Sequence, residues 1–339
     1  MSSGAPFVPT PFATPVVSPS AVSVTRRIPY ISVSEYRFAP TAVGTTDLIP
    51  GSANQAADSA ASLAQVIERA SSWMDTWCFH TADGTLAASV SVESAWVKVK
   101  TNGDVPLISK YKPILDVQGV AVGPSPGNLT NIGAITAGSI WIDDKVIWIP
   151  GVWNLSPATS FPIYFGRHDG TLYAVWTYTN GFPVTALAAD ATVGATSIQV
   201  QPTNATGDGV SGVYPANANF SGTQLTIHDG SSTEAVTVAS TYTGGTTLPL
   251  AAPLQYAHTV PTPPDMIRVA ALPWALEQAC ISVTSILIKT RGTRAQILPM
   301  LPGQQPSRQA LAQAGALDDW EIARRLLHPY QTVFLGNAR

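Results

Sequence analysis

The sequence predicts an α+β fold, with a small helical bundle core, an elaborated antiparallel β region and an inserted all-β sandwich or barrel domain. Three observations carry this prediction. Apolar residues recur with helical spacing after Gly51 and again after Pro273. Alternating apolar and polar residues, bounded by turn residues, fill the chain between these two segments. Within that middle part, residues 185–262 contain no Lys and no Arg, which marks them as an insert.

The same observations divide the chain into four parts. We expect an extended N-terminal arm over residues 1–50 and a helical core over residues 51–80 together with 263–339. A β-hairpin region covers residues 81–183, and the inserted all-β domain covers residues 184–262.

The N-terminal arm is rich in Pro, Ser, Thr and Val. Its prolines block helix formation and favour an extended, polyproline-like path. They stand at Pro6, Pro9, Pro11, Pro15 and Pro19. Two interpretations stay open: a free tail, or a segment that lies along a neighbouring surface through its Val and Phe side chains. The arm has no early charge and no continuous apolar run, so we expect no signal peptide.

The first long helix is the best-marked element. Ser52 is the predicted N-cap, and Gln55 would complete a capping box with it. The helix is expected to end near residues 78–80. Its predicted buried stripe has three- and four-residue spacing and consists of Leu63, Ile67, Ala70, Met74 and Trp77.

The β-hairpin region alternates apolar and basic side chains over residues 96–100, which indicates a half-buried strand. The segment 139–149 predicts a tight hairpin around Asp143-Asp144, and residues 161–178 predict another. In the insert, alternation predicts strands over residues 197–200, 224–227 and 234–238.

Two further helices are expected near the C-terminus. Pro273 suits the first position of a long helix that stops at Gly292, and Leu276, Cys280, Val283 and Leu287 would form its buried stripe. A short helix over residues 307–314 precedes a final amphipathic helix. That last helix would begin at Asp318-Asp319 and end before Pro329.

Composition excludes several classes of protein. The net charge is −3, and neither the acidic insert nor the rest of the chain is basic enough for a nucleic-acid binder held by phosphate contacts. No stretch is long and apolar enough to span a bilayer, so we expect no membrane partner. Cys78 and Cys280 fit neither a zinc motif nor a disulfide framework, and we interpret them as small buried apolar residues.

The candidate catalytic residues are better explained as turn residues than as members of an active site. The sequence has no strained nucleophile motif, no paired metal-binding histidines and no phosphate loop. We therefore predict no enzyme activity, no cofactor and no metal. The groups interpreted as turn or surface residues are His80 with Asp83, Asp143-Asp144, His168-Asp169 and His228-Asp229-Gly230. Six aromatic residues suit either a sugar-stacking platform or, as we expect, core and cross-strand pairs. They are Trp141, Trp148, Trp153, Tyr173, Trp176 and Tyr178.

Two groups of residues are candidate contact sites. The first consists of Lys98, Lys100, Lys110 and Lys112, which suit a solvated strand face, a subunit contact or the wall of a DNA channel. The second lies at the C-terminus and consists of Arg324, Arg325, His328, Tyr330, Phe334 and Leu335. Its basic pair suits the end of the last helix or an acidic partner groove, and its apolar tail suits docking on a partner.

Three segments together resemble a head–tail connector, or adaptor, protein of long-tailed bacteriophages, the family related to the HK97-type connector. They are SLAQVIERASSWMDTWC, KYKPILDVQGVAV, and the helical pair LPWALEQACISVTSILIKTRG with DDWEIARRLLHPY. The insert is similar to small β modules of actinobacterial phage neck and tail proteins.

The resemblance implies a non-enzymatic structural protein of the virion neck that assembles in the host cytoplasm. It implies a ring of twelve subunits beneath the portal protein, with the C-terminal segment docked into the portal. The ring would extend the channel for double-stranded DNA, without sequence-specific binding, and hold the next neck, stopper or tail protein. The alternative is a virion carbohydrate- or receptor-binding module with the insert as binding unit, for which exposed aromatic residues or a metal site are expected.

Overall fold

The computed structural model describes residues 28–45, 48, 54–78, 85–101, 104–131, 141–143, 145–149, 170–201, 222–242, 244–291 and 307–331. Within these ranges the fold is α+β, as predicted, with five helices and several antiparallel sheets. The helices are α1 (Val33–Phe38), α2 (Gln55–Trp77), α3 (Trp274–Lys289), α4 (Arg308–Gln313) and α5 (Leu317–Leu327).

The strands form four sheets with the orders β1-β7-β3-β4, β2-β6-β5, β11-β10-β13-β8 and β12-β9. In chain order they are β1 (Ser89–Lys98), β2 (Val105–Ile108), β3 (Ile114–Ser125), β4 (Asn128–Asn131), β5 (Trp141–Asp143), β6 (Val146–Ile149), β7 (Thr171–Asn180), β8 (Val184–Ala186), β9 (Ser197–Gln199), β10 (Gln224–His228), β11 (Glu234–Thr237), β12 (Thr247–Pro249) and β13 (Arg268–Ala270).

Helices α2, α3 and α5 share one apolar core. The stripe predicted for α2 is confirmed, because Leu63, Ile67, Ala70, Met74 and Trp77 are all buried. Helix α3 is buried on more than one stripe, since Ser282, Thr284 and Ser285 are buried beside its apolar side chains. It therefore lies in the middle of the helical core.

Three tryptophans join α2 to α5. Trp320 lies edge-on to Trp73 at a ring-centroid distance of 5.9 Å and edge-on to Trp77 at 5.3 Å. Trp73 and Trp77 stack at 5.3 Å. Edge-to-face aromatic pairs stabilise beyond their buried area, so this cluster fixes the last helix against the first long one.

The predicted extended arm is wrong for its second half. Residues 28–38 enter the helical core, where Tyr30, Ile31 and Tyr36 are each at most 1% exposed. Ser32 caps α1 with a capping box: its hydroxyl accepts from the Glu35 N–H, and the Glu35 carboxylate accepts from the Ser32 N–H. The sequence signal for this capping box is the Ser-x-x-Glu spacing. The prolines before it favoured the prediction of an extended arm instead.

The predicted start of α2 is also wrong. The helix begins at Gln55 with Asn54 at the N-cap, so Gln55 is the first helical residue and cannot complete a capping box with Ser52. At α3 the prediction was one residue early, because Pro273 is the N-cap and Trp274 the first helical residue. The helix ends at Lys289, before the predicted stop at Gly292.

The β-hairpin region is a two-layer sandwich. One buried cluster contains Val105 and Leu107 of β2, Ile147 and Ile149 of β6, and residues of β1, β3 and β7. Trp176 and Tyr178 are buried there, which confirms their prediction as core residues. The hairpin around Asp143 is confirmed by the antiparallel pairing of β5 with β6.

The insert is a sandwich of a four-stranded and a two-stranded sheet around one apolar core. Its predicted strands correspond to β9, β10 and β11. Isolated bridges link Leu187 to Val200 and Val238 to Leu250, so the two sheets meet at both edges without forming a closed barrel in the described ranges.

The insert reaches beyond its predicted end at residue 262. Strand β13 pairs with β8 and with β10, so residues 268–270 lie in the middle of the larger sheet. On the other side the chain enters through Gly181, whose φ is +96° and whose added Cβ would lie 2.5 Å from the Ala87 carbonyl oxygen. Only Gly accepts both constraints there.

Several predicted features lie outside the described ranges. They are His80, Asp83, Asp144, Trp153, His168, Asp169, Phe334, Leu335, the hairpin partner at 161–165 and residues 1–27 of the arm.

Candidate functional site

Four polar side chains meet where the insert joins the helical core, and we call them the ionic junction. They are Glu35 of α1, His228 of β10, Arg268 of β13 and Glu277 of α3. The Arg268 side chain is fully buried, while the other three are 18% to 21% exposed. One charged cluster therefore ties together an N-terminal helix, a core helix and the larger sheet of the insert.

Arg268 binds both carboxylates of the ionic junction. Its Nε lies 3.0 Å from Glu35 Oε2, and its Nη2 lies 2.5 Å from Glu35 Oε1. The same Nη2 lies 2.5 Å from Glu277 Oε1. The pair with Glu35 is bidentate, the geometry in which a guanidinium binds a carboxylate most strongly.

Local structure places each member of the junction. The capping box holds the Glu35 carboxylate, whose Oε2 accepts from the Ser32 N–H at 2.7 Å. The register of β10 against β13 sets His228 directly beside Arg268. Glu277 stands in the first turn of α3, where the helix dipole favours an acidic side chain.

Burial and charge set the protonation states of the junction. Burial on its own raises the pKa of Glu35, but the charge and hydrogen bonds of Arg268 outweigh it and lower the pKa overall. Burial and the neighbouring Arg268 lower the pKa of His228, although the two glutamates oppose this shift. These shifts favour the ionised form of Glu35 and the neutral form of His228.

The ligand atoms of Glu35, His228 and Glu277 lie within 4.8 Å of one another, a spacing that suits a metal ion. The geometry nevertheless argues against a cation there. The guanidinium of Arg268 already contacts both carboxylates, and a divalent ion would share this small space with a permanent positive charge. His228 also directs one ring nitrogen to each glutamate, at 3.1 Å and 3.4 Å, instead of presenting a free nitrogen to a common centre.

A second cluster of polar side chains surrounds His258 and includes Asp229, the residue that follows His228. Buried His258 places Nδ1 2.9 Å from Asp229 Oδ2 and Nε2 2.8 Å from Glu234 Oε1. Glu234 also accepts from the N–H groups of Gln255 and Tyr256. Both ring nitrogens are thus engaged by carboxylates, so His258 fastens the 251–258 loop to β11 rather than acting as a base or a metal ligand.

Sequence reasoning missed both clusters. It interpreted His228-Asp229-Gly230 as a turn, which holds for the backbone, since a 3-10 turn covers Gly230–Ser232. The side chains have further roles, because His228 and Asp229 point to opposite faces of the strand end and enter different clusters. Arg268 could have indicated the ionic junction, because it is the first Lys or Arg after Arg167.

The four candidate lysines are exposed, but the structure does not bring them to one place. Lys98 and Lys100 lie at the end of β1, and Lys100 Nζ stands 3.9 Å from the centroid of the Trp148 ring. Lys110 and Lys112 follow β2, and the Lys110 N–H donates to Glu93 at 2.8 Å. Glu93 is five residues before Lys98 on β1, which puts the two pairs roughly 17 Å apart at ~3.3 Å per residue.

The C-terminal candidates lie on and after α5. Arg324, Arg325 and His328 are exposed, and Arg324 Nη2 donates to Glu321 Oε2 at 3.0 Å. Tyr330 is half-buried and edge-on to Phe182 at 5.9 Å. The basic group therefore faces outward, while the chain is anchored to the entrance of the insert just before residue 332.

The two cysteines are confirmed as buried free thiols. Burial raises the pKa of Cys78 to about 12 and that of Cys280 to about 12. In the described part of the insert, Tyr242 is buried and Tyr256 is 46% exposed. A sugar-stacking platform needs several exposed rings, so the described part of the insert gives that alternative little support.

None of the described helices is long and apolar enough to cross a membrane. Comparison with known proteins finds no matching family model, no matching curated protein and no matching solved structure.

Proposed function

We propose that this protein is a structural head-to-tail adaptor of a tailed phage. In this proposal, copies of the chain form a ring beneath the portal, extend the DNA channel and hold the next neck or tail protein. The sequence resemblance to HK97-type connectors motivates the proposal. The observation that carries it is the shared core of α2, α3 and α5, because the helical segments that bear the resemblance pack together as one unit. The remaining segment, KYKPILDVQGVAV, contributes Tyr111, Val120 and Val122 to the core of the β-hairpin region instead.

The end of α5 is the proposed portal-docking surface. Trp320, Ala323 and Leu327 face the core, so the helix is fixed, and its opposite side presents Arg324 and Arg325 to solvent. A rigid helix with an exposed basic pair suits an acidic groove on a partner, since little conformational freedom is lost on binding. Residues 332–339 would add apolar contacts through Phe334 and Leu335.

The β-hairpin sandwich is the proposed site of contacts between neighbouring subunits. It carries exposed apolar side chains together with exposed lysines, a mixture suited to a protein interface. The separation of the lysines into two pairs fits two edges of a subunit contact better than a continuous basic wall. A weak basic lining would also let DNA pass instead of holding it.

The insert is proposed to stand on the outer rim of the ring. Its chain enters at Gly181 and leaves at β13, close to each other in space, so it projects from the core as one body. The ionic junction then works as its fastening. It holds the insert to α1 and α3 and keeps it in one orientation during assembly.

Portal binding by charge-reversed variants tests this proposal. The double change Arg324→Glu and Arg325→Glu is expected to weaken co-sedimentation with portal rings by at least tenfold, and removal of residues 329–339 is expected to abolish it. The matched control is Arg37→Glu, an exposed charge reversal on α1. Equal binding by all four proteins would contradict the proposed docking surface.

A further inference from the structure

The larger sheet of the β-hairpin region carries exposed apolar side chains on its outer face. On β1, Val92 is 67% exposed and Trp96 is 40% exposed. Both lie on the side of the strand opposite the buried core, as the alternating burial of β1 and β7 requires. A group of exposed aromatic and β-branched side chains on one sheet face is typical of an interaction surface.

An aromatic pair forms a fixed ridge on this face. Trp96 pairs with Tyr173 across the strands, and their rings meet edge-on at 5.3 Å. The Tyr173 hydroxyl donates to Ser94 Oγ at 2.9 Å, which holds the Tyr ring in place. Binding to such a ridge orders few side chains, because the rings are already positioned.

Beside the Trp96–Tyr173 pair, the same face of the sheet carries small side chains. Strand β3 lies next to β7 and contributes Ala121 opposite Val175 and Gly119 opposite Thr177. Apart from Gly119 and its two chain neighbours, no heavy atom of the described residues lies within 4 Å of the position that a Cβ of Gly119 would take. The result is a shallow apolar floor bordered by two aromatic rings.

The chain itself contains a segment with matching chemistry. Pro6 and Pro9 enclose Phe7-Val8, and the segment carries no charge before Arg26. Proline fixes an extended polyproline conformation with little entropy left to lose. Aromatic-lined surfaces bind such Pro-x-x-Pro segments in many recognition domains.

We infer that residues 1–27 of one copy dock, in an extended polyproline conformation, on the outer face of a second copy around Trp96 and Tyr173. The described residues leave Val92 67% and Trp96 40% exposed, so this face is open to a segment of a second copy. Twenty-seven residues at ~3.1 Å each span roughly 80 Å, which is enough to reach a neighbouring subunit. The inference rests on the proposed function in one respect: the second copy would be the neighbouring subunit of the ring. It does not depend on binding to the portal protein.

Crosslinking between two differently marked chains tests the inference. Full-length Val8→Cys protein is mixed with isotope-labelled full-length Val92→Cys protein, a thiol crosslinker is added, and the joined peptides are identified by mass spectrometry. Native Cys78 and Cys280 are buried and do not compete. We expect crosslinks between residues 8 and 92 of different chains, well above those formed with Val193→Cys, which alters a 63% exposed site in the insert.

A second variant separates recognition from chance collision. Trp96→Ala in the Val92→Cys chain is expected to lower the crosslink yield roughly tenfold at subsaturating concentration, equivalent to about 1.4 kcal/mol. A yield equal to that of the Val193→Cys control, or one unchanged by Trp96→Ala, would overturn the inference. Crosslinks confined to a single chain that carries both Val8→Cys and Val92→Cys would overturn the assignment to a second copy. Portal binding measured on the same proteins reports on the adaptor proposal separately.

Discussion

Arg268 and Glu35 form a bidentate ion pair between the insert and an N-terminal helix, with Nε···Oε2 at 3.0 Å and Nη2···Oε1 at 2.5 Å. The two residues are far apart in sequence, and the guanidinium is fully buried. Because Arg268 also contacts Glu277, removal of its charge would leave two carboxylates facing each other in a poorly solvated space.

The first prediction concerns this charge. Arg268→Met is expected to lower the free energy of unfolding by about 3–5 kcal/mol, since it leaves two largely buried carboxylates without their partner. Urea denaturation measures the change. The control is Arg308→Met, which breaks the exposed pair with Glu321 and is expected to cost at most about 1 kcal/mol, because Arg308 is 70% exposed. Similar losses in both variants would contradict a central role for the junction.

The second prediction concerns acid. The pKa of His228 is lowered from its ordinary value of 6.5, so the unfolded chain takes up a proton there more readily than the folded chain does. The stability that His228 contributes is therefore complete above pH 6.5 and falls as the pH drops below it. Glu35, whose folded pKa also lies below its ordinary value of 4.5, adds a further loss in stronger acid.

Thermal denaturation between pH 8 and pH 5 measures this effect, in roughly one-unit steps chosen to bracket the ordinary histidine pKa. His228→Gln is expected to flatten the decline below pH 6.5. The exposed His328→Gln variant serves as control and is expected to follow the parent protein. If acidification instead stabilised the parent protein relative to His228→Gln, His228 would be protonated between Glu35 and Glu277, and the assigned direction would be wrong.

The third prediction concerns the tryptophan cluster. Trp320→Ala removes a side chain that is 2% exposed and contacts both Trp73 and Trp77, so it is expected to cost about 3–5 kcal/mol. Trp274→Ala is the matched control, because Trp274 is 71% exposed and its loss is expected to change stability by less than about 0.5 kcal/mol. Equal effects on the urea midpoint would show that α5 is not fixed through this cluster.

The fourth prediction concerns the thiols. Burial raises the pKa of Cys78 and of Cys280 to about 12, and neither thiol is exposed. A thiol-specific reagent at pH 8 is therefore expected to label the native protein no faster than unfolding exposes the two thiols. In urea, both cysteines are expected to be labelled immediately. Rapid labelling of either residue without denaturant would contradict the described packing.

Sequence reasoning located most of the regular elements because their signals are local. The stripe of α2, the alternation at 96–100 and the hairpin around Asp143 depend on neighbours in sequence. Sequence reasoning failed for segments whose position depends on tertiary packing. The segment 28–38 carries too short a helix to show periodicity, and only its contacts with α2 and α3 place it in the core.

The ionic junction shows the same limit more strongly. Its four members come from four elements spread over 243 residue numbers, from Glu35 to Glu277, and no spacing rule connects them. The strand register that sets His228 beside Arg268 is a property of the folded sheet. The four candidate lysines are close in sequence, but strand β1 separates them into two pairs about half its length apart, which only the folded sheet reveals.

We propose that copies of this chain form a ring beneath a phage portal. A cryo-EM reconstruction of the chain mixed with purified portal rings would decide this. We expect a closed ring of this chain on one face of the portal, with the end of α5 at the contact and the insert on the outer rim. Portal rings without bound chain, under conditions where the chain is folded and in excess, would contradict it.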